Sequence, residues 1–516
     1  MRRMWLTGVL CVLAAGAAAQ SPAEEPGKGR RAAIAHEGRF DYTWRRNPWL
    51  DGANAAGIRQ DSVSRSYAAV RLVKENGSMA DPSASDDSWT AGASTRSIRH
   101  FDKVSFAGGF SYDYFDGRNM CGSMLTQPGY YPVDVLEFTP GRKVRETYAF
   151  TGAVSAVLGK RWTGGLKADF MARNYAKRKD LRHKNTRLDF ELSPGVMYRA
   201  GRLAVGAAYI VGVDREKLEA EEIGNTAESY MAFFDRGLRF GSLRLWQSND
   251  LHLTTSGVSG FPVRQTTQGA SLTLQCGALF LDAAYRNRRG ETGERGIVWH
   301  EFLTDRATVR GVLSLGRDGR RHYVRVGAEW ESQSMDENIL TVETVGGVAT
   351  PQLHGSAPAF GRKSLDLHAE WEWATRRTDL RVGADYERMH RRSTLMYPQI
   401  EGQKLRFVAV HASLVQRLGF WELSAEAGYR KGAFDEYSRQ YDSPSAPGAY
   451  PERLTEWYDR ENEYLTADRL AAGLGLRRNI RRFWVEIAAR WEHGFGLKYI
   501  AGADRVRAEV GAGYNF

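Results

Sequence analysis

Asp366, His368, Glu370 and Glu372 stand two residues apart, and so do Asp385 and Glu387 a little further on. In an extended chain that spacing puts side chains on one face. These are therefore rows of carboxylates, with one imidazole, projecting from a common surface. Such a row could exchange protons, attract cations, or pair with arginines on neighbouring strands. The basic partners are present. Arg325 with Glu329, Arg381, Glu422 with Glu426 and Arg430, Arg469, Glu486 with Arg490, and Arg507 with Glu509 share the same face of their own alternating stretches, as do Asp169 and Arg173. Two readings follow. One is a wet wall of cross-strand ion pairs that performs no reaction. The other is a permeation path whose fixed charges select polar or ionic solutes, with an acidic side around Asp366 to Glu372 and Asp385 to Glu387.

Motifs for catalysis are missing from the sequence. No Gly-x-Ser-x-Gly elbow occurs, and His300-Glu301 lacks the second histidine of a zinc helix. Gly473-x-Gly475 and Gly511-x-Gly513 lack the remainder of a nucleotide fingerprint, so they read as sites of curvature or close packing, with Gly327, Gly383 and Gly428 on the same face. His322 is the histidine that parity puts nearest the opposite, apolar face, but it begins its strand. The chain is expected not to be an enzyme and to need no cofactor or metal, with lipid hydrolysis a minor alternative.

The elements that must carry these rows are strands. Val506, Ala508, Val510, Ala512, Tyr514 and Phe516 alternate with Arg507, Glu509, Gly511, Gly513 and Asn515, giving one oily and one wet face. The same alternation recurs from Phe101 onward. Outward aromatics bracket it at intervals of eight: Trp162 to Phe170, Trp421 to Tyr429, and Phe483 to Trp491. Eight steps of about 3.4 Å, tilted by about 40°, climb roughly 21 Å, close to the height of about 25 Å of a membrane barrel's apolar band. Tyr209, Tyr285, Trp330 and Tyr386 end further strands in the same way. Together these ten residues predict aromatic girdles.

Short turns recur near residues 159–161, 200–202, 276–277, 316–319, 375–378, 416–419 and 477–482. Longer irregular segments separate them, at roughly 175–185, 214–268, 287–300, 332–361, 390–403, 431–463 and 493–504. The expected fold is all-β: a transmembrane antiparallel up-and-down β-barrel of about sixteen strands (fourteen or eighteen also fit), with short periplasmic turns and long extracellular loops. Segment 237–268 could add a hairpin or decorate a loop. The loop at 431–463 is acidic and aromatic, with Asp435, Glu436, Asp442, Glu452, Glu456, Asp459, Glu461 and Glu463 beside Trp457 and Tyr458; it reads as a solvated loop or a weak calcium or ligand site. Basic residues 177–187 could face an anionic outer leaflet.

At the amino terminus Arg2 and Arg3 precede the apolar run from Trp5 to Ala19, which reads as a cleaved signal peptide over 1–19. Leu10 before Cys11 is not the small residue a lipoprotein site needs. Residues 20–97 are expected to be a periplasmic segment, a plug or a first strand, and 98–516 the barrel. Glu75 to Ala93, rich in Gly, Ser and Asp, reads as a loop. Mean hydropathy of −0.48 would suit a soluble chain, but half-polar strands average to that value. The net charge of +11 resides largely at the short turns, as in Lys160, Arg161, Arg202, Arg321, Arg376, Arg417, Arg477 and Arg482. It rings a rim suited to lipid headgroups and forms no nucleic-acid groove. Cys121 and Cys276 fall at opposite ends, so no bond between them is expected.

The signal segment, the hairpin series and the terminal Phe516 resemble Gram-negative outer-membrane β-barrel proteins, and more loosely an uncharacterised family of such barrels of about 500 residues. The resemblance implies a place in the outer membrane, contact with its lipids and lipopolysaccharide, and handling by the barrel-assembly machinery, with Phe516 part of the assembly signal. Asn54-Ala55-Ala56-Gly57 resembles the amino-terminal hatch of long-chain fatty-acid channels over four residues only. No TonB box or separate plug domain is evident. A barrel of this size can enclose a channel, so a pore or passive transporter for small solutes is expected first. A non-conducting barrel whose outer loops bind a ligand or partner protein, its lumen sealed by 20–97 or by infolded loops, is the alternative.

Overall fold

The computed structural model describes residues 40, 47–60, 63–179, 182–221, 231–235, 237–238, 241–245, 260–294, 297–317, 319–345, 348–394, 400–440 and 452–516. The segment read as a signal peptide lies outside them. Strands follow one another as β1 (Arg65–Asn76), β2 (Asp87–His100), β3 (Val104–Ser123), β4 (Asp134–Val157), β5 (Trp162–Lys177), β6 (Arg182–Ala200) and β7 (Leu203–Glu221). A short hairpin, β8 (Met231–Asp235) and β9 (Gly241–Leu245), comes next. The series resumes with β10 (Gly260–Cys276), β11 (Leu279–Glu294), β12 (Ile297–Arg317), β13 (Arg320–Val345), β14 (Val348–Thr375), β15 (Thr378–Thr394), β16 (Ile400–Leu418) and β17 (Trp421–Gln440). Helix α1 (Glu452–Thr466) then leads to β18 (Asp468–Ile480), β19 (Phe483–Phe495) and β20 (Asp504–Asn515).

Each strand pairs antiparallel with its neighbour in sequence, β7 pairs with β10 across the β8–β9 hairpin, and β20 pairs with β1. The result is a closed barrel of 18 strands. The amide of Phe516 donates to the carbonyl of Ser66 (2.8 Å) at the seam. Among the described residues, closure leaves none of the 18 barrel strands with an open edge, which is what a sheet in hydrocarbon requires.

The expected sixteen strands are those from Phe101 onward; the two additional ones are β1 and β2. Asp87–His100 reads DSWTAGASTRSIRH, with few bulky apolar side chains, so its alternation is faint. The barrel accordingly starts at Arg65, the boundary at residue 98 falls inside β2, and the loop expected over 75–93 narrows to 77–86. Most long connections also shrink. β13 and β14 continue well past Trp330, and β17 runs to Gln440. Beyond the lipid belt both faces of a strand are wet, so the apolar signal stops while the ladder continues.

Outward side chains form the apolar belt. Leu474 is 71% exposed, Leu272 65% and Val510 53%. Leu423, Ala427, Ile487 and Ala489 are exposed and Ala425 half-exposed. Trp162, Phe170, Tyr209, Tyr285, Trp330, Trp421, Tyr429, Phe483 and Trp491 are exposed at its margins, and Tyr386 is half-exposed. No second layer of protein covers this surface among the described residues. Isolated in water it would be an aggregation surface; in acyl chains it is satisfied. The protein is a closed β-barrel whose outward belt is suited to lipid. Cys121 lies near the long-loop end of β3 and Cys276 at the β10–β11 turn, and both are free thiols. At the two-residue turns Gly201, Gly277 and Gly419 adopt φ of 62°, 57° and 65°, the left-handed region that hairpin turns require and glycine enters without strain.

Candidate functional site

Two pieces of chain fill parts of the lumen. The first is the amino-terminal segment, two 3-10 turns at Pro48–Asp51 and Ala55–Gln60. Asn47 caps the first by accepting from the Trp49 amide (3.3 Å). Asn54 clamps the segment to the wall: its amide donates to the carbonyls of Val196 on β6 (3.0 Å) and Ala207 on β7 (3.2 Å), while its oxygen accepts from the Ala56 amide (3.0 Å). The Trp49 indole donates to Gln275 of β10 (2.7 Å), and Ser155 of β4 donates to the Ala56 carbonyl (2.9 Å). Three inward glycines admit this contact. A Cβ on Gly165 would stand 2.2 Å from the Ala56 nitrogen, and one on Gly195 or Gly206 would stand 2.5 Å from the Asn54 amide group. The segment lies along β1–β7 and β10–β12; Phe40 and Leu50, Ala55 and Ile58 bury against Ile98 on that side, and Trp49 against Phe280.

The second piece closes the long-loop end. Residues 124–133, between β3 and β4, turn across the mouth. Met124, Leu125, Tyr131 and Val133 join Leu218, Phe234, Phe261, Phe302, Met335 and Ala359 in one apolar cluster. Arg187 is held bidentate by Asp214 (both 3.0 Å) under the Tyr130 ring, 4.0 Å away. Hairpin β8–β9 docks on β4, where Phe233 packs with Leu136 and with Tyr458 of α1.

The opposite wall, β13–β20, carries the residues marked by two-residue spacing. Arg325 contacts Glu370 (2.8 Å) and Glu372 (2.6 Å), and Arg381 lies 3.5 Å from Glu372. Glu422 is 3.4 Å from Arg417, Glu426 takes Arg490 (2.9 Å), and Glu486 is 3.6 Å from Arg477. Arg469 meets Glu492 (3.3 Å) and stacks on Tyr464, while Arg507 meets Glu509 (2.9 Å) and Glu75 (3.7 Å). Arg430 lies over the ring of Phe407 at 4.4 Å. Most of these contacts join different strands, while Arg507 and Glu509 pair within β20.

One place departs from pairing. Glu329, Asp366 and Glu387 stand directly opposite one another on β13, β14 and β15. Arg306 takes Glu329 (2.6 Å), but the row remains acidic overall. One step along, Asp385 is shared by two imidazoles: His368 Nδ1 at 2.6 Å and His411 Nδ1 at 3.2 Å, with the rings nearly parallel at 6.2 Å. The row faces Asp51 and Gly52 of the amino-terminal segment across a cavity of about 550 Å³. A second lumenal cavity, about 590 Å³, runs between Glu75, Glu426, Arg490, Arg505 and Glu509. Both spaces are partly open and have mixed polar and apolar linings.

His411, Arg306, Arg362 and Arg505 were not singled out from the sequence. A usable signal existed for His411: its cross-strand partners are Gly383 and Gly428, and a Cβ on Gly383 would stand 2.4 Å from the imidazole Nε2. Small residues on both flanks make room for a ring. Arg417 and Arg477, expected on the rim, instead turn inward, Arg417 to Asp379 (2.5 Å) and Arg477 onto the Trp484 ring (4.0 Å). Lys177 and Arg187 likewise point in, to Glu137 and Asp214, and do not face a leaflet. His322 stacks on Trp371. In the acidic segment, Glu463 is occupied by the amides of Lys498, Tyr499 (2.8 Å) and Ile500 (2.6 Å); Asp442 lies outside the described residues, as do the side chains of Asp435, Glu436 and Glu452.

A family model described as a family of unknown function (DUF6850) matches residues 55–516. The chain belongs to this family. The match spans all 18 barrel strands of this family member and the second 3-10 turn of its lumenal segment. No curated protein matches it in sequence. Among solved structures it is similar to the outer-membrane transporter YddB from Escherichia coli, at 7% identity over 88% of this chain and 81% of that one, with a TM-score of 0.42. It is similar also to the siderophore receptor PiuA from Acinetobacter baumannii, at 7% identity, 87% and 82% coverage and a TM-score of 0.40. A third is a mutant of the monoaromatic hydrocarbon channel TodX, at 11% identity, 90% and 92% coverage and a TM-score of 0.30.

Proposed function

We propose that the protein is a passive transporter of small polar solutes, with the short turns in the periplasm and the long loops outside. The solute path runs along the ionic wall of β13–β20, between that wall and the docked amino-terminal segment. The observation that carries this reading is the acidic row of Glu329, Asp366 and Glu387, facing Asp51 across open space, in which Arg306 pairs with Glu329 and the arginines nearest Glu387, Arg362 and Arg430, are engaged by Glu331 and the Phe407 ring. Fixed carboxylates at a narrowing favour cationic or zwitterionic solutes over anions. The segment at 47–60 and the loop at 124–133 narrow the path, so conductance is restricted and not porin-like.

Planar-bilayer recording of the full-length protein and of a variant lacking residues 20–60 tests this. Small cation-preferring steps that grow when the segment is removed are the expected result; silence in both forms overturns it. The second reading, a non-conducting barrel that binds a ligand at its outer end, draws on the apolar cluster across the mouth and would then stand.

A further inference from the structure

Hairpin β8–β9 meets the barrel through three residue pairs, Leu136 with Phe233, Val135 with Phe234, and Asp134 with Asp235. The last sets two carboxyl groups directly opposite each other, in an arrangement where like charges on adjacent strands repel. Both lie at the long-loop end, well beyond the aromatic girdle. Asp134 Oδ1 accepts from the Ser123 hydroxyl (2.8 Å) and the Val135 amide (2.7 Å), and Asp235 Oδ1 accepts from the Gly237 amide (2.8 Å).

We propose that Asp134 and Asp235 form a proton-controlled latch: when they carry protons the hairpin docks on β4 and closes the long-loop mouth, and when both ionise they drive it off. This rests on the transport reading above, since it supplies that path with a gate. The groups facing the pair add little positive charge. Glu216 approaches Asp134 from β7. Tyr458 and Glu461 approach Asp235 from α1, and Arg391 from β15, but Arg391 is already engaged by Glu461 (3.2 Å) and Gln403. Burial, then the opposing carboxylate and Glu216, lift the Asp134 carboxyl to about 8. Burial, with Glu461, lifts Asp235 to about 7. The docked hairpin therefore binds protons more tightly than the released one, whose aspartates titrate near about 4. Docking is strongest at low pH, weakens up to about tenfold per pH unit for each acid as pH rises toward 7 to 8, and levels off above that.

Single-channel recording of the full-length protein between pH 5 and 8.5, beside D134N/D235N, tests the latch. The expected result is an open probability that rises at least tenfold with pH in the wild type and stays low throughout in the variant. Open steps with no such rise, or the same rise in the variant, overturn the latch and leave the transport reading intact. If neither form conducts, the transport reading fails by itself, and hydrogen exchange at residues 233–235 decides the latch. Wild-type exchange that accelerates relative to D134N/D235N as pH rises supports it; a constant ratio rejects it.

Discussion

Asp366 sits between two other carboxylates and, among the described residues, forms no close ion pair with the nearby Arg306, whereas Arg325, Arg417 and Arg490 each have an acid within hydrogen-bond reach or close to it. A matched pair presents little net field to a passing ion, and an unmatched row presents a negative one. D366N with E387Q should therefore move the reversal potential in a potassium chloride gradient toward equal permeability, and E426Q, which breaks a matched pair and leaves Arg490 uncompensated, should move it in the same direction. Identical reversal potentials in all three forms would remove the row from the path. Asn54 acts at the same scale on the plug. N54A deletes the donor to two wall carbonyls and should weaken docking of 47–60 by about 1–3 kcal/mol. The readout is faster protease cleavage within that segment at an unchanged barrel melting temperature.

At the scale of elements, strands that share one belt read very differently in sequence. β19 and β20 alternate cleanly, whereas β2 is carried by Ala, Gly, Ser and Thr and is recognisable only because β1 and β3 flank it. Closure depends on the former kind. Phe516 donates its amide to Ser66, and its ring lies 5.0 Å from that of Tyr514. F516A keeps the backbone bond and loses the ring, so a lower yield of inserted barrel with unchanged stability of what is inserted would assign the ring to assembly. A fall in stability of the inserted fraction instead would make it a packing residue. Gly165 tests an element contact: G165V places a side chain where the Ala56 backbone runs, and should free the amino-terminal segment more completely than N54A does.

At the scale of the molecule, within the apolar belt one face of each barrel strand meets lipid and the other lines the lumen, and substitutions should sort accordingly. I487R, at the middle of the apolar belt, should cost about 2–4 kcal/mol. S424R, on the lumenal face of the neighbouring sheet region, should cost far less. Heat-modifiable gel migration across a urea series measures both, and equal costs would argue against the sidedness. Labelling with a membrane-impermeant thiol reagent should reach exposed Cys276 from the short-turn side alone, since Cys121 is partly buried at the other end.

Period-two alternation, the eight-residue aromatic interval and the inward charge rows were legible in the sequence because each depends only on neighbours along one strand in contact with a uniform solvent. They specified a barrel with an apolar outward face. The true strand number, the lumenal fill and the acidic row among paired charges emerged only from the closed fold. Each of these is set by residues far apart in sequence: Gly165, Gly195 and Gly206 become a seat only when Asn54 arrives, and Asp134 meets Asp235 only when a loop folds back. Local patterning reports which medium a side chain faces, and tertiary closure decides which partner it finds there.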